Sequence, residues 1–262
     1  MALDTSTAAK NIETFVRVRA SLEPVDVTVW FSGNIYGYTK GEAHKHLFTF
    51  EGFNIGRAEK VDGGYSWLSR EAVFYKDALT GEILEHFVNP YTGETNDVLH
   101  VWNDPVNGGF VENGPRGAWG LKPEVAGNSV NFATDVFLMY PNPLPPTEWP
   151  RESCGLMYQG AELFRFIARL SDLETDMASV PCDVSWVRMA PFVPWMLMAD
   201  HPGHMVYHTG GQKLMGGYKD LPEHIRMYTE KYRPEYAFAP KAIVTPNETS
   251  WTFYAKERRP QP

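Results

Sequence analysis

Along most of the chain, apolar and polar residues alternate in short runs broken by turn-forming clusters, which is the pattern of half-buried strands. Such runs occupy residues 26–38, 47–57, 65–77, 82–89 and 97–104, separated by Asp62-Gly63-Gly64, by residues 77–81 and by residues 89–93. Separators this short leave no room for crossover helices, so neighbouring strands are expected to pair antiparallel. A long Gly- and Pro-rich loop follows over 105–127, and a strand resumes at 129–140. Beyond the stiff Pro141 to Pro146 connector, further strands are expected at 156–168, 182–190, 196–200, 204–209 and 249–255.

Two segments carry the helical period instead. Ala8, Ile12, Phe15 and Val16 recur at helical spacing behind the cluster Thr5-Ser6-Thr7, which predicts a short N-terminal helix over 7–19. Ile225, Tyr228 and Tyr232 mark a second helix over 221–232, with Asp220 as its cap and Glu223 completing a capping box. The fold class is therefore mainly β: a large antiparallel β-barrel or two-layer sheet in a single domain over 1–262. It carries one short N-terminal helix and one helix in the C-terminal half.

Composition sharpens this in two respects. Aromatic residues make up 14% of the 262 residues, which suits strands and also suits stacking on flat ligands. A net charge of -8 argues against nucleic-acid partners, which select for basic patches. Cys154 and Cys182 are the two cysteines, too few and too far apart for a disulfide framework or a C-x-x-C site. The start of the chain lacks the basic and apolar regions of an export signal, and the longest apolar run, 189–199, is broken by Pro191 and Pro194. A cytoplasmic protein with no membrane partner is expected, with room for a homo-oligomer.

The candidate chemistry lies on strand faces. In His100-Val101-Trp102-Asn103-Asp104, parity puts His100, Trp102 and Asp104 on one face, and in Ser185-Trp186-Val187-Arg188 it pairs Trp186 with Arg188. A permanent cation on an inner face needs an anion, either a ligand or an internal carboxylate, for which Glu51, Glu162 and Glu248 are candidates. His201, His204 and His208 invite a metal reading, but His204 and His208 stand about 13 Å apart along a strand, too far for one ion. No dinucleotide, phosphate-loop or G-x-S-x-G fingerprint is present. No metal and no cofactor is therefore expected. The residues expected to act on a ligand are His100, Arg188 and His208. Asn54, Arg70, Trp102, Tyr140, Tyr158 and Trp186 are expected to bind it.

The ordered segments Phe50-Glu51-Gly52-Phe53-Asn54, Leu68-Ser69-Arg70-Glu71, residues 89–94 and 100–107, Ser185-Trp186-Val187-Arg188, Pro194-Trp195-Met196 and residues 246–251 resemble a bacterial family of unknown function over nearly the whole chain. The chain is also similar to the cofactor-free γ-formaldehyde lyases that act on lignin-derived aromatic dimers. That resemblance implies a small aromatic substrate, a phenolic dimer of the phenylcoumaran type, which loses formaldehyde to give a stilbene. Such chemistry needs a flat aromatic pocket, an acid, a base and a cation near phenolate oxygen. The rival expectation is a lipocalin-like carrier or sensor that binds an aromatic molecule without changing it.

Overall fold

The computed structural model describes residues 3–112, 121–199 and 201–260, so Asp200 and the 113–120 part of the expected loop lie outside the described residues. The chain begins with helix α1 (Ala8–Arg19) and three long strands, β1 (Val27–Tyr38), β2 (Lys45–Val61) and β3 (Gly64–Lys76). Short strands follow: β4 (His86–Val88), β5 (Thr95–Asp97), β6 (Val101–Asn103), β7 (Gly108–Val111) and β8 (Glu124–Ala126). The long β9 (Ser129–Pro141) and β10 (Met157–Arg169), the one-turn α2 (Leu170–Leu173), β11 (Asp183–Ala190) and β12 (His204–Leu214) come next, then α3 (Glu223–Tyr232) and α4 (Ser250–Glu257).

Ten of these strands form one antiparallel sheet in the order β6-β3-β2-β1-β12-β11-β10-β9-β8, with β7 beside β3. The sheet curls without closing. Gly52 and Gly211 sit where adjacent strands press together. A Cβ at Gly52 would collide with the Ala72 carbonyl, and one at Gly211 with that of Trp30, so these glycines permit the tight curl. β9 and β10, on either side of the proline connector, pair along their full length.

Helix α1 enters one end of the concave side. Thr7 caps it, accepting a hydrogen bond from the Lys10 amide, and Phe15 packs 5.2 Å from the rings of Phe110, Phe132 and Phe166. The buried Lys213 ammonium donates to the carbonyls of Arg17 and Ala20 at the C-terminal end of α1 and to Ser179 Oγ, tying that end to β12. The other end of the concave side is filled by Phe48, Phe50, Tyr75, Tyr158, Trp195 and Trp251. α3 covers the opposite, convex face, where Ile225 joins Phe53, Phe74, Trp102 and Tyr236.

Two expected strands do not form. At 249–255, Thr249 and Thr252 form a reciprocal capping box that starts α4, and local capping prevails over the alternating aromatics. At 196–200, Pro194 opens a 3-10 turn over Pro194–Met196, and Leu197 takes the left-handed conformation (φ 55°), which ends any extended run. The expected strands 82–89 and 97–104 are cut to three-residue pieces. Asp220 does not cap α3. Its carboxylate accepts from the Gly216 amide, and the backbone of Pro222 leads into the helix. No helix among the described residues is long and apolar enough to cross a membrane.

Candidate functional site

Strand parity decides which side chains meet on the concave side. Glu71, Val73 and Tyr75 face inward from β3, and Asn103 of β6 lies opposite Glu71. In the register of β10, β11 and β12, Glu162 lies beside Arg188, which lies beside Tyr207. One step along, Phe164 lies beside Trp186, which lies beside Thr209. Arg19 arrives from the last turn of α1. These residues form an ionisable layer between the two apolar ends. Arg19, Glu71, Glu162, Trp186 and Thr209 line a cavity of about 240 Å³ that reaches the exposed Gly108 at its rim, and Tyr75, Arg188 and Tyr207 line a small niche that shares Glu71 and Trp186 with it.

Arg188 stands at the centre of this layer. It donates from Nη2 to the Tyr158 hydroxyl (2.9 Å), lies 5.4 Å from the Tyr207 ring centroid and holds Nε 3.7 Å from Glu162 Oε1. That last distance is an ion pair but not a hydrogen bond, and Nε has no hydrogen-bond partner among the described residues. Burial opposes the guanidinium charge, but Tyr158, Glu162 and Tyr207 outweigh it, so Arg188 remains a cation. Tyr207, itself in contact with Tyr75, has its phenol raised to about 12, mainly by burial and against the pull of Arg188.

Glu71 accepts a hydrogen bond from Asn103 Nδ2 (3.3 Å). Burial and the neighbouring Glu162 push its carboxyl up to about 7, although Arg188, the Asn103 bond and Arg19 pull the other way. Glu71 therefore exchanges its proton near neutral pH, as an acid–base group requires. Arg19 is clamped by Asn54 Oδ1, 2.6 Å from Nη2, and lies 4.6 Å over the Trp67 ring. Asn54 is held in turn by Ser69 Oγ and the Arg70 carbonyl. Burial lowers Arg19 to about 10.

Three donors in the cavity wall have no partner among the described residues, Arg19 Nη1, Trp186 Nε1 and Thr209 Oγ1, and neither has Arg188 Nε in the adjoining niche. Buried polar atoms are nearly always satisfied, so these unpartnered donors make the cavity the candidate ligand site. Trp186 also stacks on Phe164, with centroids 5.8 Å apart and planes 6° from parallel, giving the cavity a flat aromatic wall.

The structure thus brings together Arg188, Trp186 and Asn54 of the residues expected from sequence. Tyr158 stands directly behind Arg188, and Tyr140 stacks on Tyr158 at 4.8 Å. Four others lie elsewhere. Trp102 faces the convex side against Phe74 and Tyr236. Arg70 also points outward, pairing with Asp104 (2.7 Å) and donating to the carbonyls of Glu235 and Phe238, so it fastens the C-terminal segment. His208 is exposed on the outside of β12. His100 is buried beside Phe74 and Tyr228, where its Nδ1 accepts from the Tyr75 amide (3.2 Å).

These placements yield a prediction. His208→Ala should leave ligand binding and turnover nearly unchanged, because exposed substitutions usually stay within about 0.5 kcal/mol. His100→Ala should instead lower Tm, the lost buried hydrogen bond costing about 1–3 kcal/mol, with turnover per folded molecule retained. Burial holds the His100 imidazole neutral, lowering it from 6.5 to about 4. The stability it contributes is full above 6.5 and is lost as pH falls through about 4, so thermal scans from pH 7 to 4 should show a drop that the variant lacks.

Sequence reasoning missed Glu71, Arg19, Tyr75, Tyr207 and Thr209. The signal for Glu71 was its parity with Val73 and Tyr75, and for Thr209 and Tyr207 their parity with each other on β12. Glu162 was one of three candidate partners for Arg188. The other two pair elsewhere, Glu51 with Lys76 and Glu248 with Lys256. A larger but open hollow, about 520 Å³, lies outside the sheet beside Cys154, Met157, Met189 and His201. Burial raises the Cys154 thiol to about 11, which leaves it a weak nucleophile. His201 lies against Tyr91 and His204 against Tyr38, and the described residues hold no group of three or more His, Cys, Asp or Glu placed to bind a metal.

Fold and site together define an open antiparallel β-sheet protein with an ionisable, aromatic-walled internal cavity. The chain belongs to the family described as protein of unknown function (DUF1838), whose model matches residues 25–258. No curated protein matches it.

Proposed function

We propose that the protein is an acid–base enzyme acting on a small aromatic molecule bound in the cavity beside Glu71, with Arg188 in the adjoining niche. The observation that carries this reading is the company of Glu71. A carboxyl poised near neutrality shares one water-poor wall with a permanent guanidinium and a second carboxylate. A binding protein needs the aromatic wall, whereas only a catalyst needs a proton donor and acceptor beside a fixed cation. In this reading Glu71 moves the proton. Arg188, fixed by Tyr158, stabilises negative charge developing on a substrate oxygen, and Trp186 with Phe164 holds the ring.

The cavity of about 240 Å³ lies below the range of about 300–1,000 Å³ typical for drug-sized ligands, so it fits a single substituted ring. Formaldehyde release from a phenolic dimer is the narrower form of the proposal. Opening the benzylic C–O bond gives a quinone methide. Deprotonating the terminal hydroxyl then breaks the adjacent C–C bond, and its electron pair restores the aromatic phenolate as formaldehyde leaves. This form requires the second ring to enter the niche beyond Arg188, beside Val101, Val193 and Trp251.

The test is incubation of purified protein with single-ring phenols and with a phenylcoumaran dimer. Products are followed by chromatography, by a formaldehyde assay and by stilbene absorbance. Turnover that Glu71→Gln abolishes supports an enzyme. Saturable binding without any product supports the carrier instead.

A further inference from the structure

Arg19 is a half-buried cation at the wall of this cavity. Among the described residues no carboxylate approaches its guanidinium within ion-pair distance, and its only hydrogen bond runs from Nη2 to Asn54. The Trp67 ring beneath it and Asn54 beside it fix the guanidinium plane, leaving Nη1 unpartnered at the cavity wall. Two further donors open into the same space from side chains that are almost wholly buried, Trp186 Nε1 (residue 7% exposed) and Thr209 Oγ1 (4%). A desolvated guanidinium with a free, pre-oriented N–H is a receptor for an oxyanion.

The charge balance of the layer fixes how much negative charge it accepts. Arg188 is matched by Glu162, which leaves Arg19 to Glu71. The titratable groups that face Glu71 are Arg188 from β11, Glu162 from β10, Arg19 from α1 and Tyr75 from its own strand. With Glu71 carrying its proton, the layer holds one surplus positive charge. A monoanion neutralises it, a dianion overshoots, and a neutral ligand leaves it uncompensated.

We infer that the cavity selects small aromatic carboxylates, with the carboxylate on Arg19 and the ring along the Trp186–Phe164 wall. The inference rests on the reading of this cavity as the ligand site and adds the substituent the ligand must bear. Binding of the anion favours the protonated form of Glu71, so the same event arms Glu71 as a proton donor.

Calorimetric titration of the full-length protein with para-hydroxybenzoate, para-hydroxybenzamide and phenyl phosphate tests this. The carboxylate should bind about 10- to 100-fold more tightly than the neutral amide, the range expected for one charge-assisted contact, and more tightly than the dianion. Arg19→Gln, which can keep the bond to Asn54, should bring acid and amide to equal affinity, and Arg19→Lys should restore part of the preference. Circular dichroism and Tm verify that both variants fold. Binding measured near pH 7 in two buffers of different ionisation enthalpy should show proton uptake, which Glu71→Gln removes. Equal affinity of acid and amide for the wild type, or a preference that survives Arg19→Gln, overturns the inference while leaving the cavity a ligand site. Failure of all three probes to bind overturns the inference and the ligand site together.

Discussion

Arg188→Met is expected to abolish turnover and to destabilise the fold together, by about 3–5 kcal/mol, because it strands Glu162 in a poorly solvated wall. The same change removes the cation that holds Glu71 down, so the Glu71 carboxyl should rise further above about 7. A second substitution separates the two effects. In Arg188→Met/Glu162→Gln no charge is left unpaired by the first change, and Tm should recover most of the loss. Turnover should not recover if, as proposed, the guanidinium stabilises a developing oxyanion, since it is still missing. Recovery of activity along with Tm would show that Arg188 serves the fold alone.

Glu71→Gln keeps the shape of the side chain and its contact with Asn103 but removes the exchangeable proton. Turnover should fall by about 10²–10⁴-fold, the usual worth of a general acid–base group, while affinity for a neutral ring changes little. Stability supplies an independent readout. Glu71 titrates at about 7 in the folded protein and near 4.5 when unfolded. Its favourable neutral form therefore contributes fully below 4.5, and that contribution is lost as pH rises through about 7. The wild type should lose on the order of 3 kcal/mol across that window from this residue. Glu71→Gln should flatten the fall and match or exceed the wild-type Tm at pH 8. Chemical denaturation at pH 5 and pH 8 for both proteins measures it.

Much of the fold can be read from residue patterns. α1, α3 and the long strands follow from periodicity, and Trp186 with Arg188 do lie on the concave side, as their parity suggests. The same logic misplaces Trp102 and His100 for a physical reason. β3 and β6 are covered on both faces, by the concave core and by α3 with the C-terminal segment, so an aromatic on either parity is buried. Alternation then reveals which residues share a face but not which face lines the cavity. Arg70 and Glu71 illustrate the cost. The cation drew attention because it cannot shed its charge, yet it reaches the backbone outside, while its quieter neighbour faces the cavity. Arg19 was legible only as the end of a helix. Its role depends on how α1 enters the curl of the sheet, which no local pattern encodes. At 249–255, alternating aromatics imitate a strand, and the Thr249–Thr252 box decides for helix.

The most direct measurement is a crystallographic screen of the protein with substituted phenols and benzoates at near-neutral pH. Electron density for a ring should appear along Trp186 and Phe164, inside the curl of the sheet. An oxygen should lie within hydrogen-bond reach of Arg188 or Arg19 and a second polar atom near Glu71. Rings found only in the open hollow beside Cys154 and His201, with none between Arg19 and Arg188, would contradict this placement.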